Sequence, residues 1–149
     1  MTIFDDIATT VKRIKRVREK LEYIRMEADT PRSSVYSDMP KGGRNVGNPL
    51  EQYMIKQEEL QERLTRLQAR LEKEWMYAAR LMNRAGVDKQ TRKMMYLRFI
   101  SGMQWEKCAA ELDRLYPGNR WNVNKCFRRY RQVQCAVRHC GNRQTESDE

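Results

Sequence analysis

The chain has 149 residues, of which 34% are charged and only seven are glycine, and its formal net charge at pH 7 is +10. This length suits one ordinary domain, and the composition indicates a helical protein with a modest core. No apolar run approaches the ~20 residues that a membrane span needs, and the N-terminus lacks the basic-then-apolar pattern of a signal peptide. We therefore expect a soluble, cytoplasmic protein without a membrane partner.

Two long helices are predicted in the first 86 residues. Residues 1–28 carry apolar side chains three or four positions apart, which predicts an N-terminal amphipathic helix. Between residues 29 and 49, proline and glycine leave neither a helical nor a strand periodicity of apolar residues, so we interpret this segment as a linker. Residues 50–86 predict a long helix that ends at Gly86, a left-handed cap. Its apolar positions follow a heptad spacing: Leu50, Tyr53, Gln57 (the one polar member), Leu60, Leu64, Leu67 and Leu71.

The heptad seam of this long helix has two interpretations. It either pairs two copies of the chain as a coiled-coil homodimer through residues 50–82, or packs inside one chain against the apolar stripe of residues 7–24. The sequence favours neither interpretation.

Three shorter helices are predicted in residues 88–140, where Asp88 is the expected N-cap. They span about 89–100, 104–113 and 120–137, and an acidic, flexible tail is expected at 141–149. Two short helices joined by a tight turn indicate a helix-turn-helix domain. The predicted fold class is therefore all-α: an N-terminal helix and a long coiled-coil-like helix, followed by a C-terminal helix-turn-helix.

This C-terminal region accounts for the net positive charge of the chain. Residues 89–143 carry 13 Lys and Arg against 3 Asp and Glu, whereas residues 1–88 carry 17 against 14. The tail from residue 144 carries 3 acidic residues and no basic ones. A surplus confined to one region indicates a polyanionic partner, and nucleic acid is favoured over an anionic membrane.

The third short helix carries the candidate DNA-binding residues. Residues 108–110 of the preceding helix have small side chains, which allow that helix to cross the third helix closely. Side chains near its start are placed to reach base edges, since Arg binds guanine and Asn binds adenine with two hydrogen bonds, and those farther along meet phosphates. Its buried face is predicted to contain Val123, Phe127, Tyr130 and Val133. The predicted base readers are Arg120, Asn122, Asn124 and Lys125, and the predicted phosphate contacts are Arg128, Arg129 and Arg131. Trp121 is either a DNA-stacking residue or a core residue, and for Trp105 we favour the core.

No residue spacing indicates catalysis, so we expect no enzyme activity and no cofactor. The one histidine, His139, belongs to no Ser/His/Asp or paired-carboxylate pattern. The segment 41–44 (KGGR) lacks the spacing of a phosphate-binding Walker loop. A metal site is also not expected, because the cysteines follow no common zinc spacing and are interpreted as buried, reduced thiols. The residues of the rejected metal site are Cys126, Cys135, His139 and Cys140; the fourth cysteine is Cys108.

Residues 95–109 (MYLRFISGMQWEKCA) resemble the LRYIxGxxWxxIA signature of sigma-factor region-4-like domains in the ArpU and RinA type of phage late-gene transcriptional regulators. Upstream, residues 36–43 followed by Asn48 and Pro49 are similar to the MPxG linker that precedes the long helix in that family. The chain departs from the family at its longer turn, residues 113–119, and at Cys108, where Ile is common.

This resemblance covers most of the chain in the same order. It implies a phage- or prophage-encoded activator of late genes that binds promoter DNA in a bacterial host cell. The long helix would then mediate self-association or contact RNA polymerase.

Two other functions stay open at this point. A phage small terminase-like packaging subunit also joins a helix-turn-helix to oligomerising helices, but such subunits generally place the DNA-binding part first, the reverse of the order here. A protein-interaction adaptor would use the basic region to bind an acidic partner. Salt dependence distinguishes the adaptor, because neutralising several phosphates makes the affinity fall steeply with salt.

Overall fold

The structure, a computed structural model, describes residues 2–29 and 49–147. Within these residues it contains five α-helices and no strand, which confirms the all-α class. None of the described helices combines the length and apolarity needed to cross a bilayer. The helices are α1 (Ile3–Asp29), α2 (Pro49–Arg84), α3 (Lys89–Phe99), α4 (Trp105–Leu115) and α5 (Val123–Ser147).

The junction between α2 and α3 follows the predicted capping. Gly86 has a φ of +71°, the left-handed conformation expected of a C-terminal cap. The carboxylate of Asp88 accepts a hydrogen bond from the backbone N–H of Thr91 at 3.2 Å and caps α3. Most of the predicted linker, with the MPxG-like motif, falls on residues 30–48, outside the described residues.

Both ends of α5 differ from the prediction. The helix begins at Val123 instead of Arg120, because Arg120 has a φ of +50° and cannot belong to a right-handed helix. It continues to Ser147, so most of the expected flexible tail is helical. Gly141 lies inside the helix, and a glycine there costs only about 1 kcal/mol relative to alanine, too little to end it.

The helices form two compact units whose boundaries fall inside α1 and α2. The terminal unit comprises Met1–Val11 and Arg70–Glu149, and the middle unit comprises Lys12–Ala69. A helix longer than one core can contribute its two halves to different cores.

The core of the terminal unit includes residues from all five helices. Phe4 and Ile7 of α1 are completely buried in the same cluster as Met82 of α2. The short helices α3, α4 and α5 contact one another and supply most of the remaining buried side chains: Met94, Met95, Leu97, Cys108, Ala109, Leu112, Cys126, Val133 and Val137.

A series of aromatic rings crosses this core. Phe4 lies 5.4 Å from Phe99, and Phe99 lies 5.7 Å from Tyr130, measured between ring centroids. Tyr130 and Phe127 of α5 lie 5.4 and 5.5 Å from Trp105 of α4. The series joins the first turn of α1 to α3, α4 and α5.

The middle unit buries part of the heptad seam within one chain. Leu64 of α2 is buried, as are Ile14, Val17 and Leu21 of α1. The hydroxyl of Tyr53 donates a hydrogen bond to the Glu27 carboxylate at 3.2 Å. Leu64 thus packs within one chain, whereas Leu60, Leu67 and Leu71 are half-buried and Leu50 is exposed, so the homodimer stays a prediction.

Replacing Phe4 by alanine tests whether the N-terminus belongs to the terminal unit. We expect Phe4→Ala to lower the free energy of unfolding by about 3–5 kcal/mol, because it leaves a cavity beside Phe99 in a closed core. Urea denaturation followed by circular dichroism measures this change. Met76→Ala is the control, since Met76 is 50% exposed and its loss should matter by less than about 0.5 kcal/mol. Equal stabilities of the two variants would contradict the packing described for Phe4.

Candidate nucleic-acid interface

The buried face of α5 is formed by Cys126, Val133 and Val137, with Tyr130 half-buried beside them. The sequence placed Phe127 on this face, but its ring is 41% exposed. The completely buried Cys126 takes the expected place of Phe127. The small thiol of Cys126 fits a closely packed contact between helices. The larger ring of Phe127 instead packs against Trp105 at the edge of the core.

The α3–α4 corner holds α4 close to the other short helices. Gly102 has a φ of +69°, and Arg98 donates a hydrogen bond to the Met103 carbonyl at 2.8 Å while its guanidinium lies 5.1 Å from the Trp105 ring centroid. Cys108 and Ala109 are buried, as expected for small residues where helices cross, whereas Ala110 is exposed. Trp105 is half-buried against the core, in line with the preference for a core role.

Trp121 is a core residue and not an available DNA-stacking residue. Only 6% of it is exposed, and its indole N–H donates a hydrogen bond to the Gln90 side-chain oxygen of α3 at 3.1 Å. A buried indole needs such an acceptor. In this conformation the indole ring of Trp121 is covered and does not offer a face to a base.

Two of the predicted base readers form hydrogen bonds with the backbone at the start of α5. The side-chain oxygen of Asn122 accepts a hydrogen bond from the backbone N–H of Lys125 at 2.8 Å, which caps the helix. The Lys125 ammonium donates to the Asn119 carbonyl at 2.6 Å and lies 4.4 Å from the Trp121 ring centroid. Asn122 and Lys125 thus hold the turn before α5, and Arg120 lies exposed within that turn.

The remaining candidates lie on the solvent side of α5. Asn124, Arg128 and Arg131 are exposed at positions i, i+4 and i+7, a spacing that places them on one face of a helix. This face is opposite the buried face formed by Cys126 and Val133. It combines one predicted base reader with two predicted phosphate contacts.

A shallow groove of about 220 Å³ runs along the side of this face. It is lined by Lys125, Arg128, Arg129 and Gln132, so three cations surround one depression. Arg129 also lies 3.8 Å from the carboxylate of Asp88. Burial opposes the charged form of Asp88, but hydrogen bonds from Thr91 and the nearby Arg129 charge outweigh it and lower the pKa of this carboxyl. The groove is therefore positively charged, with one fixed anion at its edge.

The cysteines do not form a cluster with other metal-binding side chains. Cys108 and Cys126 are buried, Cys140 is half-buried and Cys135 is exposed. Within the described residues, no three Cys, His, Asp or Glu side chains come close enough to hold a metal ion. Burial raises the pKa of the Cys126 thiol to about 11, and it also raises the pKa of Cys108.

The chain was compared with protein-family models, curated proteins and solved structures, and none of the three comparisons gave a match.

Two neighbouring asparagines distinguish a structural role from a surface role. We expect Asn122→Ala to lower the free energy of unfolding by about 1 kcal/mol, because α5 loses its N-cap. Asn124→Ala is the matched control, since its exposed side chain lies on the solvent face, and it should change stability by less than about 0.5 kcal/mol. Thermal unfolding of both variants measures the difference. A cap role for Asn122 is excluded if the two variants melt alike.

Thiol labelling tests the burial of the cysteines. With the folded chain at neutral pH, a maleimide reagent should modify Cys135 rapidly and leave Cys108 and Cys126 unmodified, because only the accessible thiolate reacts. All cysteines should react in denaturant. Mass spectrometry of proteolytic fragments assigns each site, and early modification of Cys126 would contradict its place in the core.

Proposed function

We propose that this protein binds duplex DNA through the solvent face of α5 and acts as a transcriptional regulator. The observation that carries the proposal is the exposed row Asn124, Arg128 and Arg131 on a helix whose opposite face is buried. An α-helix with its side chains is about 10–12 Å across, and the major groove of B-DNA is about 12 Å wide. A helix supported from behind can enter such a groove without losing its own packing.

The charge distribution supports a polyanion as the partner. Residues 89–143 hold a large excess of basic over acidic side chains, and cations that neutralise phosphates release the counterions condensed on DNA. The groove beside Arg129 supplies a concave site for one phosphate at the flank of the helix. On binding, the guanidinium of Arg129 would leave the Asp88 carboxylate, which lies 3.8 Å away, and bind a DNA phosphate instead.

We assign base reading to Asn124 and Arg128 and phosphate binding to Arg129 and Arg131. Asn and Arg side chains one helical turn apart suit adjacent base pairs, where they bind adenine and guanine with two hydrogen bonds each. This assignment moves the base readers away from Asn122 and Lys125, whose side chains hold the turn. In this proposal the helix-turn-helix comprises α4 and α5.

The resemblance of residues 95–109 to sigma-factor region-4-like domains motivates the biological setting. We propose an activator of phage or prophage late genes, working in the cytoplasm of a bacterial host cell, with RNA polymerase as a second partner. Burial of Leu64 inside one chain supports a monomer over a homodimer through residues 50–82. Size-exclusion chromatography with light scattering distinguishes the two states. A large ring would instead support the terminase-like alternative.

DNA binding is tested by selecting bound fragments from a genomic library and titrating one of them. Arg131→Ala should weaken binding to every duplex alike and reduce the slope of log affinity against log salt by about 1, because one phosphate contact is lost. Arg128→Ala should reduce the binding free energy for the selected fragment by about 1–3 kcal/mol and reduce that for random duplex by less. Fluorescence anisotropy at several salt concentrations measures both effects.

The matched control is Arg66→Ala, because Arg66 is an exposed arginine of α2 beside Glu62. It should leave affinity unchanged. Equal affinity of every variant for selected and random duplex would exclude a sequence-specific regulator, and a salt slope near zero would exclude DNA binding through phosphates altogether.

A further inference from the structure

A second basic surface lies in the terminal unit, between the last turns of α2 and the first turns of α3. It is a groove of about 570 Å³ that shares none of its lining residues with α5. Its floor is apolar and largely aromatic, formed by Trp75, Met82, Tyr96 and Tyr116. The rings of Trp75 and Tyr96 meet edge to face at 5.4 Å, which fixes their orientation.

The rim of this groove is cationic. Lys89, Arg92 and Lys93 line it, and the Lys93 ammonium lies 5.5 Å from the centroid of the Tyr96 ring. Ammonium and guanidinium groups bind carboxylates through charge-assisted hydrogen bonds, so this rim suits an acidic ligand.

We infer that this groove binds a short acidic peptide segment of a partner protein, anchored by one aromatic or aliphatic side chain. The anchor enters the floor beside Trp75 and Tyr96, and carboxylates of the segment bind Lys89 and Lys93 on the rim. Aromatic, Met and Arg side chains in one concave patch form the typical centre of a protein–protein interface.

Duplex DNA fits the groove less well than such a peptide. A phosphodiester backbone satisfies the cations of the rim but leaves the aromatic floor without an apolar partner, and protein–DNA interfaces are more polar than this floor. The inference goes beyond the proposed function, because the groove uses α2 and α3 and leaves the DNA-binding face of α5 free.

The test uses a fluorescein-labelled peptide of glutamates with one central phenylalanine, titrated with the full chain and followed by anisotropy. We expect saturable binding to the wild-type chain. Two variants of the peptide, one with alanine for phenylalanine and one with glutamine for every glutamate, should each bind at least fivefold more weakly. Binding that survives both changes would overturn the inference.

Charge reversal in the groove locates the site. Lys93→Glu and Lys89→Glu should each weaken peptide binding about tenfold, because like charges then face each other. Lys89→Glu is expected to fold, since an acidic residue is favourable in the first turn of α3. The matched control is Lys73→Glu, a charge reversal at an exposed residue of α2 outside the groove, and it should bind the peptide like the wild type. Equal weakening by Lys73→Glu would overturn the inference by showing that net charge alone attracts the peptide.

The same variants separate this inference from the proposed function. Lys89→Glu and Lys93→Glu could weaken the binding of duplex DNA as much as Arg128→Ala does, and random duplex could displace the peptide. Together these two results would show that the groove is part of a DNA-binding surface and would refute the peptide site. If the peptide binds as expected while no duplex binds, the proposed function fails and the inference stands.

Discussion

The aromatic series of the terminal unit fixes which side of α5 faces solvent. Phe127 and Tyr130 both meet the ring of Trp105, and Tyr130 also meets Phe99, which packs on Phe4. Each ring pair contributes about 0.5–1.5 kcal/mol beyond the area that it buries. More important is the geometry, because two contacts one turn apart set the rotation of a helix about its axis. The DNA-binding face proposed on α5 depends on that rotation.

The turn before α5 adds a second constraint, which acts along the helix axis. Asn122 caps the helix, Lys125 binds the Asn119 carbonyl, and Trp121 anchors the turn to α3 through Gln90. These contacts determine the residue at which the helix begins. Because these contacts occupy Asn122 and Lys125, the first exposed polar side chain within the helix is Asn124. Rotation and starting point together define the exposed row.

The sequence predicted those features that depend on local chemistry. Gly86 and Asp88 were recognised as caps because a left-handed glycine and a helix-capping carboxylate act within one turn of the chain. The spacing predicts Phe127 on the buried face, but the residue is 41% exposed, since helical spacing alone does not fix which side chain of a face is covered. The neighbouring Trp105 decides where the ring of Phe127 lies, and that contact joins residues from different helices.

The candidate site was predictable to a similar extent. The basic character of α5 follows from composition, and helical spacing indicates that Arg128 and Arg131 lie outward, where the structure has them exposed. The role of Trp121 could not be derived from the sequence, because its acceptor, Gln90, lies 31 positions earlier in the chain. The role of Lys125 could not be derived either, because no residue pattern indicates that Arg120 has a positive φ and that the helix therefore begins after it. Spacing in a sequence shows which residues share a face, but not which of them are already engaged.

The burial of Phe4 in the terminal core has a consequence for the order of folding during synthesis. The second residue of its ring series, Phe99, and the third, Tyr130, leave the ribosome long after α1 does. Contacts of such large sequence separation form slowly, since a long loop must close first. Phe4 therefore stays without its aromatic partners until Phe99 and Tyr130 have been made, and a chain that stops before them exposes this side chain to other nascent proteins.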